Sequence, residues 1–187
     1  MTVIVNKNTF NLREKLKELD YAHVPYDKMP AGSVIQASEY KITNEASFAA
    51  ADFQTAYIHE FKPKKSNSKL IHHFWSKTFM ENNTVSAGQD YRVIAGPSTS
   101  SDSEKDTIIR ASWQNYWNIV DYSSDYYPPC DFIMVHEPNT TDIYHYKFQG
   151  RLYGGTAGDW TIGRTNMGGG DYSYGNRGFW IIYEVAQ

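Results

Sequence analysis

The sequence holds one cysteine, Cys130, in 187 residues. No internal disulfide can form, so the fold must stand on packing alone. It has no surplus of positive charge either: 18 Lys and Arg face 21 Asp and Glu, a net of −3 with histidines neutral. A nucleic-acid surface needs clustered cations, so no nucleic-acid partner is expected. No apolar run reaches the ~18 residues of a membrane-spanning helix, and mean hydropathy is −0.59, so no membrane insertion is expected. The opening residues lack the basic segment and the long apolar stretch of a secretion signal, and none is expected. Helix signals are almost missing and are confined to one stretch near the N-terminus.

What is abundant is aromatic. Fifteen Tyr, nine Phe and five Trp make up 16% of the chain, with 13 Gly and 7 Pro as punctuation. Rings favour pleated, half-buried surfaces, and that composition predicts an all-β domain.

Residues 1–30 read as an N-terminal docking or oligomerisation arm and residues 31–187 as a β-sandwich domain, whose part from 158 onward holds a Gly-rich loop and a closing strand. In the arm, Asn11 can cap a helix and Glu14 completes a capping-box-like pattern. Leu12, Leu16 and Leu19 then recur at spacings of four and three, a narrow stripe of the coiled-coil kind, and Pro25 and Pro30 stop it. Helices shorter than ~12–15 residues are marginal alone in water, so this one must pack, on its own domain or on another chain.

Period-two alternation predicts strands at 33–36, 53–62, 69–79, 91–95, 130–135, 142–153 and 179–186. In 69–79, Leu70, His72 and Phe74 oppose Ile71, His73 and Trp75. In 142–153, Tyr144, Tyr146, Phe148 and Leu152 oppose His145, Lys147, Gln149 and Arg151. In the last, Phe179, Ile181, Tyr183 and Val185 share a face. Segment 107–120 shows both strand and helix spacing; its aromatic and β-branched content favours strand. Seven or eight such segments make a sandwich or barrel. Two sheets of this size cannot easily bury every ring, which leaves a surplus for contacts with ligands or subunits.

Chemical motifs are sparse. His72 and His73 are adjacent and point to opposite faces of a strand, so they cannot chelate one ion. His59, His145 and His136 have no partners at a metal-ligand spacing, and neither a metal nor a cofactor is expected. Cys130 lies in an apolar run and reads as a buried small hydrophobe. No GxSxG occurs. Asp121, Asp125, Glu137, Asp159 and Asp171 could pair as glycosidase carboxylates do, but the spacing does not show it, and no enzymatic activity is expected. The Gly-rich stretch 163–178 fits neither a phosphate loop nor a dinucleotide fingerprint. It reads either as a plain hairpin loop or as a contact loop in which Tyr172, Tyr174, Asn176 and Arg177, with Trp160 nearby, form a candidate recognition surface of flat rings and polar donors. The two Asn-x-Thr sequons at Asn82 and Asn139 are taken as chance.

The order of segments carries a resemblance. Residues 30–36 (PAGSVIQ), 53–63 (FQTAYIHEFKP), 66–72 (SNSKLIH), 131–147 (DFIMVHEPNTTDIYHYK) and 179–186 (FWIIYEVA) follow one another as in a family of tail-fibre-like and other virion proteins of tailed, especially marine, bacteriophages. The chain resembles that family over about residues 30–187. The resemblance implies an antiparallel jelly-roll-like β-sandwich, similar to tumour-necrosis-factor and complement-head domains, with a short N-terminal helical arm. It implies a homotrimer, located in the virion after synthesis in the host cytoplasm. It also implies attachment to other virion proteins through residues 1–30 and outward loops open to a host-surface glycan or protein. The alternatives are a capsid, neck or baseplate decoration with no receptor role, and a glycan-degrading tail enzyme.

Overall fold

The computed structural model describes residues 25–49, 52–80, 88–97, 107–115, 129–153, 160–163 and 177–187, with Thr107–Asn115 described by its backbone. The expected arm helix and its Leu12, Leu16 and Leu19 lie outside these residues. Ten strands are present among them: β1 (Val34–Lys41), β2 (Ala46–Phe48), β3 (Gln54–Phe61), β4 (Lys69–Met80), β5 (Gly88–Gly96), β6 (Thr107–Asn115), β7 (Pro129–His136), β8 (Tyr144–Tyr153), β9 (Trp160–Ile162) and β10 (Gly178–Val185). The ambiguous 107–120 segment is strand as far as Asn115. The two three-residue strands, β2 and β9, were not expected.

Every pairing is antiparallel. One sheet runs β1-β10-β4, with β7 on the other edge of β4. β4 is 12 residues long, so its last residues extend past β10 and pair with β9, which pairs with β2. The second sheet runs β3-β8-β5-β6. The mainly β, antiparallel sandwich expected from the sequence is thus the observed fold.

The two sheets meet through aromatic rings. Phe74 and Phe132 from the first sheet and Phe148 and Tyr91 from the second lie nearly parallel; Phe74 stacks on Phe148 at 4.6 Å and on Phe132 at 5.0 Å. Trp180 meets the edge of Phe74 at 5.8 Å. Such pairs add ~0.5–1.5 kcal/mol each beyond area burial. At the end built by β2 and β9, Trp160 is wholly buried, its ring 4.5 Å from that of Phe48. Room for it comes from Gly150: a Cβ there would sit 2.4 Å from Trp160 Cζ3 and 2.8 Å from the Phe48 ring. Gly150→Ala should therefore destabilise the fold by about 3 kcal/mol, by forcing two packed rings off their rotamers. A thermal melt followed by tryptophan fluorescence measures it.

Glu184 of β10 points inward and is wholly buried. Among the described residues no lysine or arginine side chain pairs with it; its carboxylate instead accepts from the Lys64 and Lys65 N–H groups at 2.8–2.9 Å, the Ser68 hydroxyl at 2.7 Å and the Gln36 amide at 2.6 Å. Those donors lie in the β3–β4 turn and in β1, so one side chain fastens the turn to the end of the sheet.

Candidate functional site

Three places in the sandwich carry more than packing requires. The first is the outer face of the β1-β10-β4-β7 sheet. Odd-numbered residues of β10 and β4 face out, and the register sets them in rows: Val135, Ile71, Tyr183 and Ala37; then Ile133, His73, Ile181 and Glu39; then Asp131, Trp75, Phe179 and Lys41. Lys69, Val185 and Val34 form a further row toward the strand ends. Ile133 is 63% exposed, Val135 57% and Val34 53%. Phe179 links Trp75 at 6.1 Å and the edge of His73 at 5.2 Å. Among the described residues, charged groups on this side lie toward its edges, as Asp131 against His73 at 3.7 Å and Lys69 against Glu137 at 3.4 Å, with Glu39 and Lys41 on β1 and Lys77 toward the far end of β4. A sheet that faced water would place polar residues on this side.

The second is a histidine group between the sheets. His72 of β4 is fully buried and its Nδ1 accepts from the Trp180 indole N–H at 3.3 Å. Its ring meets that of Tyr146 edge-on at 4.4 Å. His59 of β3 pairs with the Ser38 hydroxyl at 3.0 Å and packs on Trp180 and Tyr40. His136 of β7 pairs with the Tyr146 hydroxyl at 2.9 Å. Burial pushes His59 down to about 4. It pushes His72 well below the ordinary imidazole value, helped by His136 and His59 nearby. It lowers His136 too, against the opposing pull of Glu137. Burial likewise raises the Tyr146 phenol, with Tyr144 adding to it. Burial thus favours the neutral form of these rings; His59 and His72 are core residues and His136 is half-buried. Among the described residues, no three His, Cys, Asp or Glu side chains converge as a metal site would need.

The third is the outer face of the second sheet. His145, Lys147 and Gln149 of β8, the side that alternation marks as polar, are buried there. His145 meets Glu60 at 3.5 Å. Gln149 donates to Thr55 at 2.9 Å and accepts from Arg92 at 2.7 Å. Arg151 is held by Asp90 at 2.8 Å.

The residues singled out from sequence fare differently. Trp160, expected as a surface ring, is corrected: it is a core side chain, because Gly150 and Phe48 form its seat. Arg177 is half-buried; its guanidinium donates to the Gly163 carbonyl at 2.6 Å, while its own carbonyl accepts from Ser76 and Lys77. It closes β9 onto β4 rather than reaching outward. Tyr172, Tyr174 and Asn176 lie outside the described residues. The sequence reading did not single out Phe53, Asp90 and Arg92, because only the strand register brings them together.

No family model matches the chain, and no curated protein does. Among solved structures, chains of infectious bursal disease virus are similar in fold. The Gx strain structure shows 9% identity over 80% of this chain and 36% of that chain, with a TM-score of 0.40. The VP2 subviral particle shows 10% identity over 82% and 38%, also at 0.40. The Gt strain structure shows 13% identity over 83% and 39%, at 0.37. The present chain spans less than two-fifths of the length of each.

Proposed function

We propose that the protein is a trimeric structural component of a bacteriophage virion, a tail-fibre-like or appendage subunit attached through residues 1–30, and that its copies meet through the outer face of the β1-β10-β4-β7 sheet. The observation that carries the assembly is that face. Ile71, Ile181, Tyr183, Phe179, Trp75, Ile133 and Val135 form a mostly apolar surface across three strands, with His73 in its middle row. Soluble monomers rarely leave a contiguous apolar patch of more than a few hundred Å² open to water. Covering it with other copies removes that area from solvent at ~25 cal/mol per Å². The number three and the virion setting rest on the family resemblance in segment order.

Ile181 lies between His73 and Glu39 in the middle of this surface. Ile181→Lys puts a charge there, beside a carboxylate that can receive it within the same copy. Size-exclusion chromatography with light scattering should show the unchanged protein at three times 21.5 kDa and the variant at one. A trimer indifferent to Ile181→Lys would mean that copies meet elsewhere, and a monomer for both would remove the assembly altogether. Mass spectrometry of purified particles tests the virion role: the chain should be present in a multiple of three copies. Host-cell binding by the intact oligomer separates a fibre from a decoration protein.

A further inference from the structure

The second sheet's outer face holds one guanidinium, Arg92, that no carboxylate among the described residues pairs with. The register aligns Thr55, Gln149 and Arg92 across β3, β8 and β5, with Asp90 and Arg151 in the row beside them. The guanidinium carbons of Arg92 and Arg151 lie 4.2 Å and 4.6 Å from the centre of one ring, that of Phe53. Two cations thus share one aromatic support. Among the described residues Asp90 is the carboxylate beside them, and it pairs with Arg151, whose Nε and Nη2 both donate to Asp90 Oδ2, at 3.0 Å and 2.8 Å. Arg92 has only a neutral partner, the Gln149 carbonyl, which receives its Nε–H. The two Nη groups of Arg92 make no hydrogen bond among the described residues. Burial, and then the Arg151 charge beside it, hold Arg92 below the ordinary guanidinium value.

We propose that Arg92, supported by Phe53 and Arg151, binds an oxyanion, the carboxylate or phosphate group of a ligand. The fixed plane of Arg92 presents its Nη donors as a fork, the geometry that matches such a group in two parallel hydrogen bonds. Gln149 and Thr55 hold that plane through Nε, and the ring supports it from one face. The ligand's negative charge supplies what Asp90 cannot give twice. This site is independent of the assembly through the other sheet and stands whether the protein is a trimer or a monomer.

Calorimetric titration of the full-length protein with glucuronate, glucose 6-phosphate and glucose is the test. The three share a neutral ring, so any difference reads the oxyanion, and the two charged probes separate a carboxylate source from a phosphate source. At least one charged probe should bind saturably at millimolar concentration, more weakly as salt is raised, while glucose gives no heat of binding. Arg92→Gln should weaken that binding tenfold or more. Gln149→Glu, which builds the missing carboxylate into the protein against Arg92, should abolish it and leave the thermal midpoint unchanged or higher. Absence of binding by both charged probes in the unmodified protein at tens of millimolar overturns the proposal. So does binding that Gln149→Glu and Arg92→Gln both leave intact.

Discussion

Taking the protein from pH 7 to pH 4 will strip several kcal/mol from its stability, with roughly 3 kcal/mol lost at His59 alone. Above pH 6.5 the ring is neutral whether the chain is folded or not, so it adds no pH dependence. Below 6.5 the unfolded chain takes up a proton that the folded one refuses until about pH 4. The unfolded state then binds more protons, and stability falls as pH falls, by ~1.4 kcal/mol per unit for each such ring. His72, fully buried and shifted the same way, adds to the loss, and His136 adds less. Among the described residues, the groups in contact with these rings are Ser38, Tyr40, Tyr144, Tyr146 and Trp180, none of them an anion; Glu137 near His136 opposes the shift there without outweighing burial. Urea unfolding at a series of pH values between 7 and 4.5 measures the slope. His59→Gln keeps a partner for the Ser38 hydroxyl and removes the proton site, so the slope should drop by about one proton's worth. A stability that is flat between pH 6.5 and 4.5 would show that these rings are not held neutral.

The second large effect is expected at Glu184. Glu184→Ala should cost about 4 kcal/mol, because it leaves the Lys64 and Lys65 N–H groups, the Ser68 hydroxyl and the Gln36 amide without their shared acceptor, at ~1–3 kcal/mol for each donor that cannot reach water. Lys64 is exposed and can turn to solvent, whereas Ser68 is buried and cannot, which holds the total below the sum of the parts. Glu184→Gln keeps the shape but turns an amide N–H₂ toward donors, so about half the loss is expected. Denaturant unfolding gives both values. Hydrogen exchange adds a local signature: the Lys64 and Lys65 amides should exchange faster in Glu184→Gln while those of β8 stay protected. Equal protection at Lys64 and Lys65 in the two proteins would mean that the carboxylate does not fasten the turn.

The strands were legible because alternation is a local property. β4 shows it plainly: Leu70, His72 and Phe74 lie opposite Ile71, His73 and Trp75, as their spacing predicts, and the structure turns the first set inward. β2 and β9 were not legible, since three residues carry no period. Alternation also says nothing of how many faces a sheet covers. On β8 it separated Tyr146 and Phe148 from Lys147 and Gln149 correctly, yet both sets are buried. Alternation likewise put Phe179, Ile181 and Tyr183 on one face without saying which way it points, and the register turns them outward beside Trp75 and Ile71. Trp160 was misplaced for a related reason. A tryptophan next to a Gly-rich loop resembles a contact residue until Gly150, ten positions earlier, is seen beneath its ring. The Arg92 cluster needed pairing across β3, β8 and β5, which no single segment encodes.

Sedimentation equilibrium of the full-length protein, run across a micromolar concentration series, tests the central claim most directly. The apolar outer sheet predicts association at the higher concentrations, which the resemblance in segment order sets at three times 21.5 kDa, with Ile181→Lys shifting the population to the single chain. A non-associating particle at 21.5 kDa throughout the series would contradict it, since water would then cover Trp75, Phe179, Ile181 and Ile133 with no need of another copy.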